Sequence, residues 1–194
     1  MILMISGDYK IINKKGRIAI DTLTSPIEEF FLDEAFVVGS HKTENLGVER
    51  IIINLVANPN VRAIIICGKE SFGHYAGQAL ISIWKDGVDN EGKIIGAKGP
   101  IPYIENIDAH VISHFRKQIL YIEDMIGICD ADTVHTRARE ITARNMPPFD
   151  KPALNVEGMG KKKSARVVLT CSEKLTVAQG LEIDPLSFEI SCKL

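Results

Sequence analysis

The sequence predicts an α/β protein: a Rossmann-like open sheet, largely parallel, with helices on both faces and a short strand-like appendage at the C-terminus. Three observations predict it. Val61-Arg62-Ala63-Ile64-Ile65-Ile66 and Phe36-Val37-Val38-Gly39 are short apolar runs rich in β-branched residues, as buried strands are. Val48, Ile51, Ile52, Leu55 and Val56 recur at helical spacing, and Ala76, Ala79, Leu80, Ile83 and Trp84 repeat the same stripe, so each set marks one apolar helix face. The two kinds alternate as strand, helix, strand, helix, the order of parallel βαβ units.

In chain order, residues 6–9 read as an entry turn, 10–12 as extended and 13–16 as a turn. Residues 17–23 are apolar and β-branched enough for a strand. Ser25 and Pro26, followed by Glu28 and Glu29, read as N-cap, first helical position and acidic first turn of a short helix. Thr43-Glu44-Asn45-Leu46-Gly47 opens the next helix, which Asn58-Pro59-Asn60 ends, because a residue before proline leaves the helical region. Residues 86–92 form a polar loop with alternating Asp and Asn. A calcium loop needs a bidentate Glu at its twelfth position, which counting from Asp86 is Ala97. Residues 93–103 read as a short strand and a Gly/Pro-rich loop. From Asn106 or Asp108 a long helix is expected, with Val111, Phe115, Ile119, Ile122 and Ile126 along one side, and Asp130 caps another to about residue 144. The proline cluster at Pro147, Pro148 and Pro152 divides a domain over 1–146 from an extension over 147–194. There 158–163 reads as a solvated turn, and 166–171 and 187–192 as the strands of a small hairpin.

Composition excludes several classes. The net charge of −2 steers the chain toward neither nucleic acid nor an anionic membrane. No apolar run approaches the roughly 18 residues of a membrane span, and the apolar start at Met1 has no basic flank for a signal peptide. A cytoplasmic protein is expected. Cys67, Cys129, Cys171 and Cys192 lie far apart without a C-x-x-C pair, so they read as free, mostly buried thiols.

The chemistry concentrates in Cys67-Gly68-Lys69-Glu70-Ser71-Phe72-Gly73-His74-Tyr75-Ala76-Gly77-Gln78, between a strand and a helix. In open α/β folds ligands sit at that carboxyl edge. Gly68, Gly73 and Gly77 do not have G-x-G-x-x-G spacing, and His74-Tyr75 replaces the Lys-Ser/Thr of a P-loop, so a phosphate cradle is a weak reading. A Cys67–His74 thiolate pair is opposed by the position of Cys67 at the end of a buried strand. His110, His114 and His135 fall on helix surfaces, and His41 is kept as a residue supporting the site. For His74 the bland alternative is a satisfied histidine near a helix N-terminus. That position favours neutral imidazole, the metal-binding form. No second ligand is spaced for a bare zinc site, so a metal carried in its own macrocycle, haem or corrinoid, suits a lone histidine better.

Three runs then carry a resemblance: residues 43–49; Cys67-Gly68 through Gly73-His74 to Gly77-Gln78; and Gly96-Ala97-Lys98-Gly99-Pro100-Ile101-Pro102 with Glu105-Asn106. Together with Gly7-Asp8-Tyr9 and the N-P-N turn they resemble the A subunit of the methanogens' tetrahydromethanopterin S-methyltransferase, over roughly residues 6–128. The resemblance implies a cobalamin carrier of one-carbon metabolism that shuttles a methyl group in methanogenesis, with methyltransferase partners. It implies His74 as cobalt ligand. It also implies that Thr43, Glu44, Asn45, Leu46, Gly47, Gly68, Gly73, Gly77, Gln78, Gly96, Ala97, Lys98, Gly99, Pro100, Ile101 and Pro102 line the corrinoid. The family's membrane-bound member ends in a transmembrane helix, whereas residues 147–194 here are polar and strand-like, so a soluble homologue is expected. Other cobalamin domains use D-x-H-x-x-G. Here Phe72 holds the Asp position, so no carboxylate is expected at the second nitrogen of His74, and a labile cobalt–histidine bond follows. A cobalamin storage or sensing module, and a Rossmann-like domain for some other small molecule, are the alternatives.

Overall fold

The computed structural model of the chain describes residues 5–151 and the strand segments 175–178, 181–183 and 190–192. Five strands form one sheet: β1 (Tyr9–Ile11), β2 (Ile18–Asp21), β3 (Ala35–Gly39), β4 (Ala63–Ile66) and β5 (Tyr121–Asp124), in the order β1-β3-β2-β4-β5. β3, β2, β4 and β5 are parallel, and β1 is an antiparallel edge strand on β3. Four helices accompany them: α1 (Leu46–Val56), α2 (Ala76–Lys85), α3 (Ala109–Gln118) and α4 (Ala131–Thr142). The expected α/β fold is therefore the observed one.

The period-2 alternation of each strand sorts its side chains between two cores. Ala19, Ile64 and Ile66 meet Val48, Ile52, Ala76, Leu80, Val111 and Phe115 from α1, α2 and α3. Ile18, Ile20, Ala63 and Ile65 meet Val134, Ala138 and Ile141 from α4, with Ile27 and Phe30. A bulge between β2 and β3 sets Ile18 opposite Ala35 but Ala19 opposite Val37. The extra residue, Phe36, thus joins Val37 in the first core.

β2 leads to β3 on one side, and β3 leads through α1 back to β4 on the other. The carboxyl ends of β2 and β4 are therefore the switch point of the sheet, where open α/β folds take their ligands. The loop carrying His74 leaves β4 at that edge.

Several expectations need correction. Ser25 does not cap a helix: Pro26 stands at the cap of a single 3-10 turn, Ile27–Phe30, and the Ser25 hydroxyl accepts the Lys69 N–H instead. The long helix does not continue through Ile122. It stops at Gln118, whose side chain donates to the carbonyls of Leu55, Asn58 and Val61, and the β-branched and aromatic run that follows becomes β5 against β4. Residues 93–103 form isolated bridges, Val88 with Ile94 and Lys93 with Tyr103, rather than a strand. His114 is half-buried, with its ring edge-on to Phe149, and His135 is half-buried too.

The chain divides into two compact units, Met1–Gly160 and Lys161–Leu194. The second contains an antiparallel sheet of β6 (Leu175–Ala178), β7 (Leu181–Ile183) and β8 (Ile190–Cys192), in that order. β8 falls within the expected 187–192 strand; the strand over 166–171 and the turn over 158–163 lie outside the described residues. No helix among the described residues is long and apolar enough to cross a membrane.

Candidate functional site

Three segments converge on His74. The first is its own loop, which turns on Gly73 in the left-handed region with open space where a Cβ would stand. Tyr75 follows, also left-handed, as the cap residue of α2. The second runs into α1: Asn45 and Thr43 cap that helix by accepting from Leu46 N–H and Gly47 N–H. The third is the 96–102 loop. Gln78 holds it by donating to Ser82 Oγ and the Gly96 carbonyl and accepting from Lys98 N–H.

Glu44 joins all three. Its Oε2 lies 2.8 Å from His74 Nδ1 and its Oε1 accepts from Ile101 N–H at 2.9 Å. Gly99 permits this: a Cβ there would stand 2.5 Å from the His74 carbonyl oxygen and 2.7 Å from Glu44 Cγ. The expectation that no carboxylate reaches the second nitrogen of His74 is thus overturned, and with it the argument for a labile bond from Phe72. The acid comes from 30 residues upstream rather than from two positions before the histidine. Burial opposes the Glu44 charge, but hydrogen bonds from its own amide, from Ile101 N–H and from His74 outweigh it and hold the carboxyl below the usual range. With Nδ1 donating to Glu44, Nε2 carries the lone pair.

The α2 N-terminus is closed to phosphate on a second ground beyond glycine spacing. Glu70 accepts from Gly77 N–H and Gln78 N–H, and Ser71 Oγ from Ala76 N–H. The amides and the positive helix end that would hold an anion are already engaged by a carboxylate. The thiolate alternative also fails. Burial pushes the Cys67 thiol up to about 12, with the Asp21 charge adding to it. Among the described residues Cys67 is buried and Cys129 exposed, both free.

His41 has its ionic partner elsewhere than in the Glu44–His74 pair. It is buried, with Nδ1 2.7 Å from Asp21 Oδ2 at the end of β2. Desolvation would lower its pKa, but Asp21, the Ala76 carbonyl and Glu70 overcome that and raise it. Gly68 and Gly77 sit where a side chain has no room: a Cβ on Gly68 would fall 2.4 Å from Thr22 O, and one on Gly77 would press on Ile126, Ile66 and Leu23. Glu49, which closes the 43–49 run but is given no role there, is buried and accepts from Glu105 N–H, Asn106 N–H and the Asn106 side chain, tethering the chain after the 96–102 loop to α1. An acid in the loop before a helix is the available signal for Glu70; nothing local marks Glu49.

What the geometry offers is one imidazole, half-exposed, with a carboxylate behind it. Leu46, Phe72, Tyr75, Ile95 and Ile101 are exposed large apolar side chains, all on or beside the segments that meet at His74. Glycine or proline occupies Gly73, Gly96, Gly99, Pro100 and Pro102 between them. This suits a large flat ligand with a central atom to coordinate better than a small polar substrate.

Comparison with known proteins places the chain in a family. A family model described as the A subunit of tetrahydromethanopterin S-methyltransferase matches residues 2–166. The Mtx A subunit of Methanosarcina barkeri is 38% identical over 181 residues, covering 93% of this chain and 89% of its own. Its Methanosarcina acetivorans counterpart is 35% identical over 183 residues, with 94% and 90% covered. The tetrahydromethanopterin S-methyltransferase A subunit 1 of Methanothermobacter marburgensis is 38% identical over 169 residues, covering 85% of this chain and 71% of its own. The match takes in the five-stranded sheet and every segment around His74, and the chain belongs to the family of the tetrahydromethanopterin S-methyltransferase A subunit.

Proposed function

We propose that the protein is the corrinoid carrier of a methyltransferase system of the tetrahydromethanopterin type, with His74 as the protein ligand to cobalt. The observation that carries this reading is the Glu44–His74 pair, which engages Nδ1 and leaves the imidazole half-exposed among exposed apolar side chains. A corrinoid, when bound, supplies a cobalt that takes up and gives away a methyl group. The chain's own residues hold and orient it. Glu44 accepts from Nδ1–H and so fixes the tautomer and the ring orientation of His74. Leu46, Tyr75 and Ile101 offer apolar surface to the macrocycle, and the 96–102 loop, clamped by Gln78, presents backbone with little side-chain bulk. The methyl donor and acceptor are handled by partner methyltransferase proteins, and the protein works at the cytoplasmic side.

The test is direct. The purified chain is mixed with cobalamin, freed of excess and its visible spectrum recorded for wild type and His74→Ala. Retained corrinoid with a spectrum that changes in the variant is expected. No retention by wild type, or identical spectra in both, overturns the assignment. A carrier further forms methylated cobalamin when methyl donor and partner enzyme are added; a storage module does not.

A further inference from the structure

A cavity of about 380 Å³ opens between α1 and the β1-β3-β2 side of the sheet, and neither His74, Glu44 nor the 96–102 loop lines it. We infer that it is a second binding site, separate from His74, for an anionic compound built on an aromatic ring. The volume lies within the range of small-molecule sites.

Its lining specifies the chemistry. Ala19, Val37, Ile51, Leu55 and Ile64 give apolar walls, and Tyr9 gives an aromatic side chain on which a planar ring can lie. Two polar residues, Asp21 and His41, line it while only 5% exposed each. They pair with one another at 2.7 Å, and the Ala76 carbonyl also faces His41. They give the otherwise apolar cavity one polar end, where a ring nitrogen, hydroxyl or carbonyl of an occupant belongs. Lys42 and Arg50 also line the cavity and are exposed, and neither has a carboxylate partner among the described residues. Of the acids present, Asp21 faces His41, while Asp8 accepts only from the neutral Ser40 O–H and keeps its charge. Lys42 and Arg50 against Asp8 leave the rim positive on balance, which favours a carboxylate, sulfonate or phosphate on the ring compound.

The inference is independent of the corrinoid reading. Thr43, Leu46 and Gly47 border both sites, but the residues that specify this ligand are Tyr9, Asp21, His41, Lys42 and Arg50, none of them assigned to the macrocycle. The probe is 1-anilinonaphthalene-8-sulfonate, an aromatic anion whose emission rises in an apolar site, titrated into the folded full chain. Saturable binding of one dye per chain is expected. Ile51→Trp, which fills the space, abolishes it, and Arg50→Glu on the exposed rim weakens it at least about fivefold, the scale of one solvent-exposed charge pair at contact. Circular dichroism confirms that both variants are folded; should Ile51→Trp fail to fold, Arg50→Glu alone decides. Phe72→Ser, which removes the exposed aromatic beside His74, leaves dye binding unchanged, and cobalamin does not displace the dye. Absence of saturable binding, equal binding by Arg50→Glu and wild type, loss in Phe72→Ser, or displacement by cobalamin overturns the inference.

Discussion

The switch-point edge carries two histidine–carboxylate pairs of nearly the same length. Asp21–His41 meets at 2.7 Å and Glu44–His74 at 2.8 Å. Their surroundings differ far more than their distances. The His41 and Asp21 side chains are 3% and 7% exposed, so both partners are withdrawn from bulk water. Glu44 is 2% exposed but His74 is 49%, so one partner is fixed and the other faces out. A pair buried on both sides locks framework elements together; a pair buried on one side aims a ligand. Contact distance is silent about which is which, and burial decides.

Breaking the sealed pair has the largest effect. Asp21→Ala leaves a buried histidine without its counter-charge and is expected to cost about 3–5 kcal/mol in urea unfolding. A loss under about 1 kcal/mol would erase the distinction between the pairs. Glu44→Gln keeps the shape but removes the charge behind His74. Cobalamin affinity falls about 10–100-fold while unfolding shifts less than in Asp21→Ala, and an unchanged spectral titration would show that Glu44 orients nothing.

Acidity separates the pairs further. His41 titrates above its ordinary value, so its stabilisation is complete below about pH 6.5 and drains as pH rises through the raised value. Glu44 titrates below its ordinary value, so its contribution is complete above about pH 4.3 and is lost as pH falls through the lowered one. The stability gap between wild type and Asp21→Asn should therefore narrow from pH 6 to 9, and that between wild type and Glu44→Gln should narrow only on acidification. Equal pH slopes for the two gaps contradict this ordering. The smallest effect belongs to His74→Ala, which costs less than about 1 kcal/mol of stability because its ring is half in water. A Tm change as large as that of Asp21→Ala would make His74 a framework residue.

The same contrast explains what is legible in the sequence. β4 and the stripes of α1 and α2 are written in local periodicity, and the loop after β4 puts His74 at the ligand-binding edge. Tertiary partners are not written that way. Gln118 stops α3 by bonding to carbonyls 57 to 63 positions away, which no helical stripe announces. The local pattern looks for the residue behind His74 two positions upstream, where Phe72 stands; Glu44 supplies it from another segment. Glu44 lies inside the 43–49 motif, yet its role requires the fold.

Glu44 is bonded to groups 30 and 57 positions along the chain. Contacts at such separations return stability only after the intervening loops have closed. A nascent chain ending near residue 95 has synthesised both the histidine and its carboxylate but not the Ile101 amide that holds the carboxylate in place. The carboxylate behind His74 therefore gains its full set of bonds only once the chain has extended past Ile101.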